Sequence, residues 1–163
     1  MKKSIDLDLR AEEKQLLKQK KVPFKTLIGY APDEIVSLLN ANEARAREIN
    51  ALIEFQSIPS LGHGFATELM NQGYYSLEQL RGKDAVTLFA AFEKHCGAWA
   101  DPCVEDSYRL LVHYIEHSDD SKRWWSFTNE RKAYRAKHGF KTDRPKTAWY
   151  ELARYKRPET TSI

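Results

Sequence analysis

The sequence predicts an all-α protein, a small helical domain with helical extensions at both ends. Three observations lead there. No segment alternates apolar and polar residues over five or more positions between turn residues, so strand signals are nearly absent. Apolar residues instead recur at i, i+3 and i+4, the spacing that lines one helix face. Between those stretches stand glycines and prolines, which end helices.

Asp8 to Lys21 reads as a weakly amphipathic helix with Leu9, Leu16 and Leu17 on one side, closed off by Pro23 and Gly29. Ala31-Pro32-Asp33-Glu34 starts the next, with proline in the first turn and carboxylates at the positive end of the dipole. Asn42 to Gln56 follows, burying Ile49, Leu52, Ile53 and Gln56. Ile58 to Gly64 is a tight turn, Phe65 to Asn71 a short helix, and Gly73 its stop. Ser76 caps the next turn, with Gln79 in the capping-box position. Asp84 caps a helix carrying Val86, Leu88, Phe89 and Phe92 and ended by Gly97. Asp101-Pro102 opens another, with Val104, Tyr108, Leu111, Val112 and Ile115 inward. A basic, aromatic helix is expected from about Lys122 to His138, stopped by Gly139, and a last basic helix from about Pro145 to Tyr155. The domain reading is an extension over 1–41, a core over 42–118 and a basic aromatic extension over 119–163.

Composition narrows the function classes. No run approaches the roughly 18 apolar residues that a membrane span needs. Met1-Lys2-Lys3 is followed by no apolar segment, which argues against a secretory leader, and two cysteines cannot build a disulfide framework. A reducing cytoplasm is the expected compartment. The net charge of +3 is unevenly spread: residues 1–55 carry +1, residues 56–117 carry −4 and residues 118–163 carry +6. A polyanion is therefore attracted first to the C-terminal third.

Ile58-Pro59-Ser60-Leu61-Gly62, with Leu52 before it and Ala66 and Leu69 after it, resembles the helix-hairpin-helix motif of SAM-like helical domains. Pro59 forbids helix continuation, Leu61 plugs between the helices, Gly62 turns the backbone and Ala66 keeps the second helix close. The resemblance implies that backbone amides over Ser60, Leu61, Gly62, His63, Gly64 and Phe65 hold a DNA phosphate without reading bases. Ser60 stands where the motif has its first glycine, and Gly64 where DNA-binding members place Lys or Arg. Gly73-Tyr74-x-Ser76-Leu77-Glu78, Asp101-Pro102-Cys103-Val104 and Trp124-Trp125-x-Phe127-Thr128 are similar to the small bacterial pathogenicity-locus family, loosely labelled mitomycin-resistance proteins. That resemblance covers about 45–135 and implies a bacterial cytoplasmic protein with a nucleic-acid role.

In the basic segment, Trp124, Phe127, Arg131 and Tyr134 share a stripe flanked by Arg123, Lys132, Arg135 and Lys137. Cations there neutralise phosphates and rings stack on unpaired bases, or the rings close a core and the cations form a solvated face. Cys96, Cys103, His113 and His117 have the element types of a zinc site but no tight cysteine pair. Asp101, Glu105 and Asp106 sit where a helix dipole favours carboxylates, and Asp106 with Arg109 has the spacing of a surface pair. No GxSxG, P-loop, HExxH or dinucleotide pattern occurs, so no catalytic machinery, cofactor or small-molecule substrate is expected. The expectation is non-enzymatic, sequence-tolerant DNA binding through the hairpin amides and Arg123, Arg131, Lys132, Arg135 and Lys137. The alternative is a protein–protein adaptor whose hairpin is purely structural.

Overall fold

The computed structural model describes residues 4–155, apart from the side chain of Ile28. Among them are seven α-helices and no strand, only an isolated parallel bridge between Trp99 and Ala148. None of these helices is long and apolar enough to cross a membrane. The chain divides into two compact units at Arg81 and Gly82, inside the segment read as a single core.

In the first unit, α1 (Ala11–Gln19) starts three residues later than its apolar pattern suggests. Asp8 has a left-handed backbone, φ 50°, which interrupts any helix there. The Glu13 carboxylate then accepts the Arg10 N–H at 2.9 Å and fixes the true start. In α2 (Pro32–Leu38) proline occupies the first turn, and Ile35 and the following Leu39 point inward. The Asn42 side chain caps α3 (Glu43–Ser57) by accepting the Arg45 N–H. Along α3, Ile49, Leu52 and Phe55 are buried at helical spacing.

Pro59 ends α3, and a turn over Ile58–Gly62 leads to α4 (His63–Asn71). Ser60 holds φ 64° in that turn, a conformation that costs a side-chain-bearing residue about 1–2 kcal/mol. Ile58 and Leu61 are buried on either side of it, and Ala66 and Leu69 of α4 are fully buried. Gly73, φ 90°, then stops the chain from continuing α4.

Arg45 organises this unit. Its guanidinium, 4% exposed, donates to both Glu13 oxygens at 2.7 and 2.9 Å, and to the carbonyls of Leu7 and Asp8. A buried charge is tolerable only when its hydrogen-bonding capacity is filled, and here the partners come from α1, the segment before it and Glu48 of α3 itself, 3.2 Å from Arg45 Nη1. Burial works most strongly on Glu13 and raises its pKa, but Arg45 and the Arg10 amide together hold it below its ordinary 4.5.

In the second unit, α5 (Ala85–Cys96) is capped by Asp84 and ended by Gly97 at φ 71°. α6 (Pro102–His117) is capped by Asp101 and ends at Ser118, also left-handed. The Tyr108 ring lies against Phe89 and Phe92, with centroids 6.4 and 5.8 Å away. The single basic helix expected from Lys122 is two pieces, a 3₁₀ turn over Trp124–Phe127 and α7 (Thr128–His138). The expected helix from Pro145 to Tyr155 does not form. Trp99 N–H donates to the Thr147 carbonyl at 2.8 Å and Trp149 N–H to the Trp99 carbonyl at 2.9 Å, so tertiary bonds take backbone groups a helix would need. Short 3₁₀ turns at Trp149–Glu151 and Ala153–Tyr155 remain.

Because the folded-state pKa of Glu13 is depressed, its stabilisation is complete above pH 4.5 and disappears as pH falls through the folded value. Glu13→Gln is expected to lower the urea midpoint at pH 7, with the gap to the parent protein narrowing below pH 4.5; a gap that is constant with pH would contradict this. Ser60→Gly relieves the left-handed strain and should raise stability by about 1 kcal/mol in the same assay.

Candidate nucleic-acid interface

The hairpin presents three backbone donors. The N–H groups of Gly62, His63 and Gly64, at the start of α4, have no acceptor among the described residues. Gly62 and Gly64 are exposed, His63, Ser60 and Phe65 are half-buried, and Leu61 is a buried plug that reaches no ligand. A helix start of this kind attracts an anion. One is already near, because an Asp8 carboxylate oxygen lies 2.6 Å from His63 Nε2. Sequence reasoning missed Asp6 and Asp8 here. Their only signal is an Asp-x-Asp step some fifty residues before the turn.

The basic segment divides into two populations. Arg131 and Arg135 do not point to solvent. Arg131 Nε donates to Asp106 at 2.6 Å, and Arg135 Nε donates to Glu105 at 2.8 Å. Asp106 and Glu105 are each 1% exposed. Thr128 donates its hydroxyl to Asp106, and Arg109 donates to Glu105 through two nitrogens. Arg109 therefore pairs with the residue four back, and the surface pair expected between Asp106 and Arg109 is replaced by a buried pair between Asp106 and Arg131. Arg123 folds onto the carbonyls of Asp120 and Lys122.

The lysines form the other population. Lys132 and Lys137 of α7 are exposed, five residues apart and so on different sides of the helix, and neither takes part in an ion pair among the described residues. The stripe residues Trp124, Phe127 and Tyr134 are half-buried, whereas Trp125 is 57% exposed and meets Trp124 edge to face. Phe140 is covered by two guanidinium groups, Arg135 at 4.2 Å and Arg144 at 3.7 Å from its centroid.

Cys96, Cys103, His113 and His117 do not converge. Among the described residues, the one cluster of three or more metal-ligating side chains is elsewhere, at Asp6, Asp8 and His63. Burial, helped by the Asp101 carboxylate, pushes the Cys103 thiol up to about 12, so it stays protonated and unreactive. His113 instead bonds Asp119 at 2.9 Å, and this contact with the Ser121 bonds holds the Asp119 carboxyl far below the usual range.

The family profile described as Pathogenicity locus (Cdd1) matches residues 48–133, more than half of the chain. The chain belongs to the pathogenicity locus family. No curated protein and no solved structure matches it. The matched part of this pathogenicity locus protein holds the hairpin, the buried acids of α6 and Arg131, while Asp6, Asp8, Arg45 and Arg135 lie outside it.

Removal of Arg131 leaves Asp106 buried with Thr128 alone, whereas removal of Arg135 leaves Glu105 still paired with Arg109. Arg131→Ala should therefore cost about 3–5 kcal/mol and Arg135→Ala about 1.5–3 kcal/mol by urea denaturation. The reverse order would refute this assignment.

Proposed function

We propose that the protein is a non-enzymatic, sequence-tolerant nucleic-acid-binding protein of the cytoplasm, and that its α3–turn–α4 unit is a helix-hairpin-helix. Ser60 supports the motif reading, since it holds the left-handed backbone that a glycine at that position adopts without cost. The observation that carries the binding proposal is the exposure of Lys132 and Lys137 on α7. Arg131 and Arg135 neutralise buried acids and Arg123 folds onto backbone carbonyls, whereas Lys132 and Lys137 stand exposed to solvent. Lysine contacts to phosphates release counterions and ignore sequence. The amides of Gly62, His63 and Gly64 add a second, uncharged phosphate contact. Arg131 and Arg135 act by holding α7 in place.

A second reading, a protein–protein adaptor with a structural hairpin, is favoured by one contact: Asp8 puts a carboxylate against His63, where a phosphate would otherwise come. Fluorescence anisotropy with duplex and single-stranded DNA at low and moderate salt separates the two. Nucleic-acid binding predicts affinity that falls steeply with salt and varies little with sequence. It also predicts that Lys132→Glu with Lys137→Glu lowers affinity at least about tenfold and the salt slope by about two. Absence of binding at low salt would leave the adaptor.

A further inference from the structure

We propose that Asp6, Asp8 and His63 form a binding site for a first-row divalent transition-metal ion. One ligand atom of each lies within 4.8 Å of the other two. His63 is the first residue of α4, and the two aspartates come from the segment that precedes α1, so the cluster joins chain positions 55 residues apart. A run of neighbouring surface acids does not produce this convergence.

The placement of the two aspartates is fixed from behind. The buried Gln56 side chain accepts the Asp6 N–H at 3.0 Å and donates to the Asp6 carbonyl at 2.6 Å. The buried Arg45 donates to the carbonyls of Leu7 and Asp8. Leu7, between the aspartates, is itself buried. Asp6 and Asp8 are exposed on either side of it, the Asp6 carboxylate accepts the Asp8 N–H at 2.9 Å, Asp8 reaches His63, and α3 holds their backbone there. Such support by outer residues is what sets the geometry of a metal site.

The ligand set selects the ion. Two carboxylates and one imidazole suit Mn²⁺, Fe²⁺, Co²⁺ or Zn²⁺, whereas Ca²⁺ and Mg²⁺ prefer oxygen alone. With Asp6 and Asp8 exposed and His63 half-exposed, such an ion would keep open positions for water or an outside oxygen. The proposal stands apart from the nucleic-acid reading, because the metal is measured alone.

The test is titration of the full chain with Co²⁺, followed by calorimetry and by visible absorption. One equivalent is expected, with weak bands of oxygen and nitrogen ligation and no thiolate charge-transfer band, which excludes Cys96 and Cys103. Asp8→Asn keeps a residue type that tolerates the left-handed backbone, and it should abolish the binding, as should His63→Gln. Lys14→Ala should leave it intact. Thermal unfolding without metal checks that the variants fold. No binding at millimolar Co²⁺ and Mn²⁺, or binding unchanged in Asp8→Asn and His63→Gln, would overturn the site and leave an ordinary surface ion pair.

Discussion

Three carboxylates that fold out of water set the plan of the second unit. Glu93, Glu105 and Asp106 are each no more than 2% exposed. An ionised carboxylate in such a place is severely destabilising unless cations and donors replace its water. The replacements all arrive from later in the chain or from α6 itself. Arg144 approaches Glu93 through two nitrogens, Arg109 and Arg135 meet at Glu105, and Arg131 with Thr128 meets Asp106. The contrast in charge between residues 56–117 and 118–163 is therefore largely a folding device. The negative middle and the positive tail neutralise each other internally. Lys132 and Lys137 of α7 remain outside, exposed to solvent.

The first unit repeats the principle with the signs exchanged. There the buried cation Arg45 gathers Glu13, Glu48 and two carbonyls around itself. Its guanidinium fixes the N-terminal segment against α3, and that segment carries the aspartates that reach His63. In both units arginine provides the buried contact. Its planar fork satisfies several acceptors at once, which a lysine ammonium does not. Lysine is left for solvent.

Helix positions were readable because caps and periodicity are local. Asn42, Asp84, Asp101 and Gly97 act as their residue types suggest. Ile49, Leu52 and Gln56 of α3 and Tyr108, Leu111 and Ile115 of α6 are buried as their spacing suggests, whereas Ile53, Val104 and Val112 are only half-buried and Phe55 and Leu110 take core places instead. Errors arose wherever a distant group took over a backbone or side chain. The expected helix from Pro145 loses the Thr147 carbonyl and the Trp149 amide to Trp99, and α1 is shortened at Asp8, whose carbonyl Arg45 holds. Burial of Glu105 and Asp106 was hidden for a related reason. Carboxylates near a helix start read as dipole partners, and nothing in the neighbouring sequence reports a guanidinium that arrives 25 or 30 residues later. The candidate interface suffered most, since Arg131 and Lys132 are adjacent in sequence yet face opposite environments.

If buried acids hold the basic helix in place, Asp106 and Arg131 are energetically coupled and not merely close. A double-mutant cycle with Asp106→Asn, Arg131→Gln and the pair, read by urea denaturation, measures that coupling. A coupling of roughly 2–3 kcal/mol is predicted, at the upper end of what contacting pairs show. Additive effects within about 0.5 kcal/mol would contradict the claim that buried acids hold the basic helix in place.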